Sequence, residues 1–151
     1  MPMIDVYAPA GMFHDKHALA QRVAATVMAI EEVPDIPMFR ENTAAFVHEL
    51  PADATSDVDG GSDHVRVQVL TNHGALNRDK QQAVVAGLTE VITGAAGNPP
   101  PAERIWVLLT EAPDGGWGLW GRAYTNVDLF AEVRSRVARV TDVETSTASK
   151  E

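Results

Sequence analysis

Two stretches of this chain repeat one order of elements, and corresponding points lie about 62 residues apart. In the first, residues 3–8 alternate apolar side chains at strand spacing, and Pro9-Ala10-Gly11 breaks the run. From about 14 to 32, Leu19, Val23, Val27 and Ile30 recur at helical spacing. Ala18, Ala20, Ala24, Ala25 and Ala29 add helix propensity and room for close packing. Pro34 and Pro37 are expected to end that helix, because proline lacks an amide donor and clashes with the preceding turn. A second strand follows over 43–49 around Phe46 and Val47. In the second stretch, residues 65–70 alternate cleanly as a strand. A helix over 77–93 sets Val84, Leu88, Val91 and Ile92 on one side with Val85 beside them, and Gly94 and the GNPPP run stop it. Residues 105–109 form a near-continuous apolar strand, expected to be buried on both faces.

Two strand–helix–strand units join most simply as one four-stranded sheet with both helices on one face, an α/β (α+β) fold. The acidic, glycine-containing stretch 51–63 links unit 2–50 to unit 64–125. Glycines 115, 116, 118 and 121 interleave with Trp117 and Trp120 as a hairpin. A short helix over 127–140 completes a single domain of residues 1–140, leaving 141–151 as a polar flexible tail. The bare face of such a sheet needs cover, and other subunits supply it most economically.

Composition removes several function classes. Twelve Lys and Arg against 21 Asp and Glu leave a net charge of −9, with no basic stretch to attract nucleic acid. The absence of cysteine excludes disulfides, thiolate nucleophiles and cysteine-bound metals. No apolar run approaches the roughly 20 residues that span a bilayer, and no secretory signal pattern opens the chain. The expectation is a cytoplasmic protein with no membrane or nucleic-acid partner.

Pro2 is the most informative single residue. Proline after an initiator methionine favours removal of that methionine, which would leave a secondary amine at the chain start. Such an amine titrates near neutrality, and apolar burial lowers its pKa further. A neutral amine at the start of a strand suits general-base removal of a proton beside a carbonyl. Read from the residue alone, an ordinary second-position proline is the commoner case.

The order of these features resembles the tautomerase superfamily. Its carriers are a first strand opening at Pro2, the doubled unit, and the ending Thr110-Glu111-Ala112-Pro113-Asp114-Gly115-Gly116-Trp117-Gly118-Leu119-Trp120-Gly121, similar to the short 4-oxalocrotonate tautomerase subunit. Lys16-His17-Ala18, Ile105-Trp106-Val107, Glu111, Pro113 and Gly121-Arg122 resemble the long-subunit cis-3-chloroacrylic acid dehalogenase. Val47-His48-Glu49 resembles malonate semialdehyde decarboxylase.

The resemblance implies a homotrimer with Pro2 as catalytic base, no cofactor, and Trp117 walling the site. It implies a small enol or 2-oxo acid as substrate. The departures are also informative. Met12 and Trp106 stand where short tautomerases carry arginines. Val27, Leu108 and Leu119 replace the dehalogenase's histidine, tyrosine and glutamate, so hydrolytic dehalogenation is not expected. The paired arginines after the third strand do not align. In that loop Arg78 is the substitute cation, with Asn72 and His73 as donors, and Arg122 in the hairpin is the other candidate. Solvated surface arginines are the competing reading for both.

The remaining polar residues point less far. His14 and His17 are three apart, a spacing compatible with one helix face, but lack a third metal ligand, and Asp57, Asp59 and Asp63 lack the ordered spacing of an EF-hand. His64 stands at the second unit's counterpart of Pro2, so one chain carries one competent amine. The expected function is a cofactor-independent keto–enol tautomerase or isomerase. The alternatives are decarboxylation or hydration of a 3-carbon acid, or a non-catalytic ligand-binding trimer with residual tautomerase activity.

Overall fold

The computed structural model describes residues 1–148, with the side chains of its last helix described to Arg139. Strand β1 (Met3–Pro9) leads into helix α1 (Lys16–Glu31), whose first turn is capped by the Asp15 carboxylate accepting from the Ala18 amide at 2.9 Å. Helix α1 ends where Glu32 turns left-handed at φ 59°. A short helix α2 (Pro37–Glu41) precedes strand β2 (Ala44–Leu50). Pro37 therefore opens a helix as well as following one, a first-turn position where its missing N–H costs nothing. Strand β3 (Val65–Thr71), helix α3 (Arg78–Ala95) and strand β4 (Ile105–Glu111) repeat the pattern. The hairpin β5 (Trp117–Leu119) and β6 (Arg122–Tyr124) follows, and helix α4 (Asn126–Ala148) ends the order.

The sheet runs β2-β1-β3-β4, with each unit internally parallel and the two units joined antiparallel through β1 and β3. Val6 faces Val67 at that junction. The expected four-stranded sheet is present, with α1 and α3 over the same face. Ile4, Val6, Ala8, Val65, Val67 and Val69 point toward the helices. Leu19, Val23 and Val27 of α1 and Val84, Leu88 and Ile92 of α3 close over them. The two helices meet at Gly87, where an added Cβ would lie 3.2 Å from Thr26 Cγ2.

Two expectations change. Strand β4 is buried on one face only: Trp106 and Leu108 are each 45% exposed, because the helices cover only the side of Ile105, Val107 and Leu109. With Phe46 and Leu70 they lie on an open face whose polar residues are already paired. There His48 Nε2 lies 2.6 Å from Asp5 Oδ1, and Tyr7 stacks on the His48 ring. Second, α4 runs to Ala148, past the expected end at 140, through a stretch with no proline or glycine to stop it. Residues 149–151 of the expected tail lie outside the described residues.

The hairpin turns through Trp120 and Gly121, both at positive φ, the two-residue turn that matches strand twist. Arg136 sits 4.2 Å over the Trp120 ring and Tyr124 meets it edge-on, holding a side chain that rarely adopts this backbone. Among the described residues no helix is long and apolar enough to cross a membrane.

Candidate active site

A second apolar cluster sits at the end of the sheet where the chain begins. Met1, Met38, Phe39, Ala112, Trp117, Leu119, Tyr124 and Leu129 build it from α2, the hairpin and α4. Beside it opens a pocket of about 340 Å³, walled by Val33, Phe39, Leu129, Phe130 and Val133, with Met1 and Glu31 among its lining residues. The Asn72-His73-Gly74-Ala75 loop after β3 and Asn126 of α4 also line it.

The Met1 ammonium is almost wholly buried and donates to both Glu31 carboxylate oxygens at 3.1 Å. Burial pushes its pKa down, with the Glu31 charge and hydrogen bond pulling the other way. Pro2 is buried and its carbonyl accepts from the Ala44 amide at 3.2 Å, which ties the chain start to the edge of β2. Adjacent backbone nitrogens lie within about 3.7 Å of one another, so the Pro2 nitrogen is close to the ammonium that Glu31 holds. Glu31 is itself positioned by Lys80 of α3, whose Nζ donates to the Glu31 carbonyl at 2.8 Å and pairs with the Glu32 carboxylate at 3.0 Å. A cation on the last carbonyls of a helix is a favourable place for a lysine.

The polar lining is a short chain of amides. Asn72 Nδ2 donates to Asn126 Oδ1 at 3.1 Å, and Asn126 Nδ2 donates to the His73 carbonyl at 2.8 Å. The Asn126 backbone amide is anchored in turn by Asp114 at 2.7 Å. Each carboxamide nitrogen carries two hydrogens, so each keeps a second one beyond these bonds. The His73 ring faces Glu111, with Nδ1 at 3.1 Å from Oε2.

The residues singled out from sequence divide between this pocket and other places. Asn72 and His73 line it. Trp117 is buried in the adjoining cluster, 5% exposed, and its indole N–H has no hydrogen-bond partner among the described residues. Arg78 opens α3 in an exposed position beside Gln81, Gln82 and Leu109, away from this lining. Arg122 is exposed and lies over the Tyr124 ring at 5.3 Å. Of the other two tryptophans expected as core or wall, Trp106 and Trp120 are half-exposed. Val27 is wholly buried under the sheet, so its position in α1 belongs to the core.

Sequence reading missed Glu31, because an acid near a helix end ordinarily reads as solvated. It also missed Asn126, Leu129, Phe130 and Val133, whose place over the pocket depends on how α4 folds back. The one available signal was the apolar spacing of Leu129, Phe130 and Val133 at the start of α4.

The second unit's equivalent end is closed differently. His64 is buried and hydrogen-bonded to Arg104 Nη1, which also reaches Asp57 Oδ2 of the acidic loop at 2.9 Å. Arg104, then the Gly61 amide, hold the Asp57 carboxyl below its usual pKa. No group of three acidic or histidine side chains able to hold a metal occurs among the described residues.

No family model matches the sequence, and no curated protein matches it. Solved structures do resemble it. A fused 4-OT solved as a symmetric trimer superposes with a TM-score of 0.70 at 16% identity, covering 84% of this chain and 98% of that one. The protein Pt0534, solved after inactivation by 2-oxo-3-pentynoate, gives 0.67 at 20% identity over 82% of this chain and 95% of its own. A member of the cis-3-chloroacrylic acid dehalogenase family gives 0.64 at 19% identity over 81% and 82%. This chain therefore shares its fold with fused 4-OT and with that member of the dehalogenase family.

Proposed function

We propose that this protein is a cofactor-independent keto–enol tautomerase acting on small enol or 2-oxo compounds, with Pro2 as general base once Met1 is removed. The observation that carries this reading is the buried chain start, set beside an apolar pocket with fixed amide donors at its edge. The neutral Pro2 nitrogen takes the enol hydroxyl proton. The C=O bond forms as the C=C electron pair takes a proton from that nitrogen at carbon, which returns the amine to its starting state. The spare N–H groups of Asn72 and Asn126 face the charge that develops on oxygen. Burial against Trp117 and Leu129 favours the neutral amine, opposing the Glu31 carboxylate, which favours the charged form. Removal of Met1 fits a cytoplasmic location.

The test is ketonisation of phenylenolpyruvate and of its methyl ester by processed wild type and Pro2→Ala, with loss of Met1 confirmed by intact mass. Wild type should exceed buffer, and Pro2→Ala should fall by at least about tenfold, since it leaves a primary amine of different placement. Equal rates for the two proteins would end the reading. A chain that kept Met1 would favour the non-catalytic alternative, because Glu31 then holds a methionine ammonium where the base should be.

The same proposal includes a homotrimer. Phe46, Leu70, Trp106 and Leu108 present an apolar set on the open sheet face, and fused 4-OT of the same fold was solved as trimers. Leu108→Glu should convert a trimeric sedimentation coefficient to a monomeric one, since a carboxylate buried in that interface has no partner. A monomeric wild type at micromolar concentration would refute it.

A further inference from the structure

The pocket beside Pro2 holds one charged side chain, and it is an acid. Glu31 presents a carboxylate that is 5% exposed, and both of its oxygens bind an ammonium in this structure. We propose that the site selects neutral enols and carbonyl compounds such as esters, aldehydes and ketones over carboxylates, with Glu31 as the residue that turns the anion away. The reaction rests on the tautomerase reading above; the charge selection rests on the pocket alone.

The N-terminal ammonium is taken by Glu31 itself, and the nearby side-chain cations are engaged elsewhere. Lys80 donates to the Glu31 carbonyl and pairs with Glu32. Arg78 and Arg122 lie outside the lining, and the His73 ring faces the Glu111 carboxylate. A substrate carboxylate would therefore give up its water for a cavity whose fixed charge repels it, a cost the local low dielectric magnifies. A neutral carbonyl meets no such penalty. The amides of Asn72 and Asn126 suit its oxygen, and Val33, Phe39, Leu129, Phe130 and Val133 suit a hydrocarbon or aryl body. The net charge of −9 discourages anions at longer range as well.

Calorimetric titration of the processed native assembly with 3-phenylpropanoate and with its methyl ester tests this at neutral pH. The ester should bind about tenfold or more tightly than the acid, the scale expected of a like-charge contact. Glu31→Gln should abolish that preference by strengthening acid binding. Comparable affinities in wild type would overturn the proposal and would point to a cation supplied by a neighbouring subunit. An unchanged preference in Glu31→Gln, or binding of neither compound, would overturn it too. The wild-type comparison needs no variant, so a poorly folded Glu31→Gln leaves the test decisive. Because the readout is binding, it separates from the kinetic test: Pro2-dependent turnover with indifferent binding sinks the charge selection alone. Selective binding without turnover sinks the catalytic reading alone.

Discussion

Protein that keeps Met1 should ketonise phenylenolpyruvate and its ester no faster than buffer, a loss of about 10²- to 10⁴-fold against the processed chain. The expected loss exceeds that of Pro2→Ala for a chemical reason. In the unprocessed chain the Pro2 nitrogen is part of a peptide bond, and its lone pair is delocalised into the carbonyl. No base remains at that position, whereas Pro2→Ala still ends in an amine. Met1 also occupies the space: it is 3% exposed, belongs to one cluster with Phe39, Trp117 and Leu129, and has its ammonium clamped by Glu31. Preparations made with methionine removal inhibited would supply the unprocessed form. Activity should scale with the processed fraction measured by intact mass. A Met1-retaining sample as fast as the processed one would remove Pro2 from the chemistry.

Leu88→Ala should lower stability by about 2–5 kcal/mol, the range for deleting a fully buried leucine side chain. Leu88 is entirely buried in α3 and belongs to the cluster between the helices and the sheet. The cavity it leaves has little means of collapse, because Gly87 already brings α3 against Thr26 of α1. The upper half of the range is therefore expected. Val85→Ala, at a position 38% exposed on the same helix, should cost much less and serves as control. Urea unfolding of the three proteins at one fixed concentration measures the difference, because subunit association adds to apparent stability. A Leu88→Ala loss under about 1 kcal/mol would mean that the helical layer repacks freely.

Most of the fold was legible because burial on one face imposes a period. Val65–Thr71 alternates in sequence and alternates in burial, and Val84, Leu88 and Ile92 recur at the helical interval that lays them on the sheet. Strand β4 misled for the same reason. An unbroken apolar run reads as doubly buried, yet Trp106 and Leu108 face outward in the single chain. Helix α2 was hidden by Pro37, which stops a helix from one side and starts one from the other. The candidate site was legible only where loop and strand order decide position, as at Asn72 and His73. Glu31 and Asn126 come from distant parts of the chain and meet through tertiary folding, so no local spacing signals them. Arg78 was legible as a helix-start residue but not in its direction, which the Asn77 cap sets by fixing the first turn of α3.

The acidic loop has a consequence for how the two halves of the sheet can change. As separate chains they would meet by mass action, each junction exposed to dilution, and each half would have to remain a good partner for copies of itself. Tethered, they meet at an effective concentration set by the loop, of millimolar order for a short linker. Association is then independent of protein concentration, and the halves are released from mutual likeness. The start of β3 shows what that freedom permits. The Arg104–Asp57 ion pair, with His64 hydrogen-bonded to Arg104, seals the end that corresponds to Pro2, and Asp57 is supplied by the tether itself. The joint that ties the two halves also supplies a side chain that makes their ends unequal.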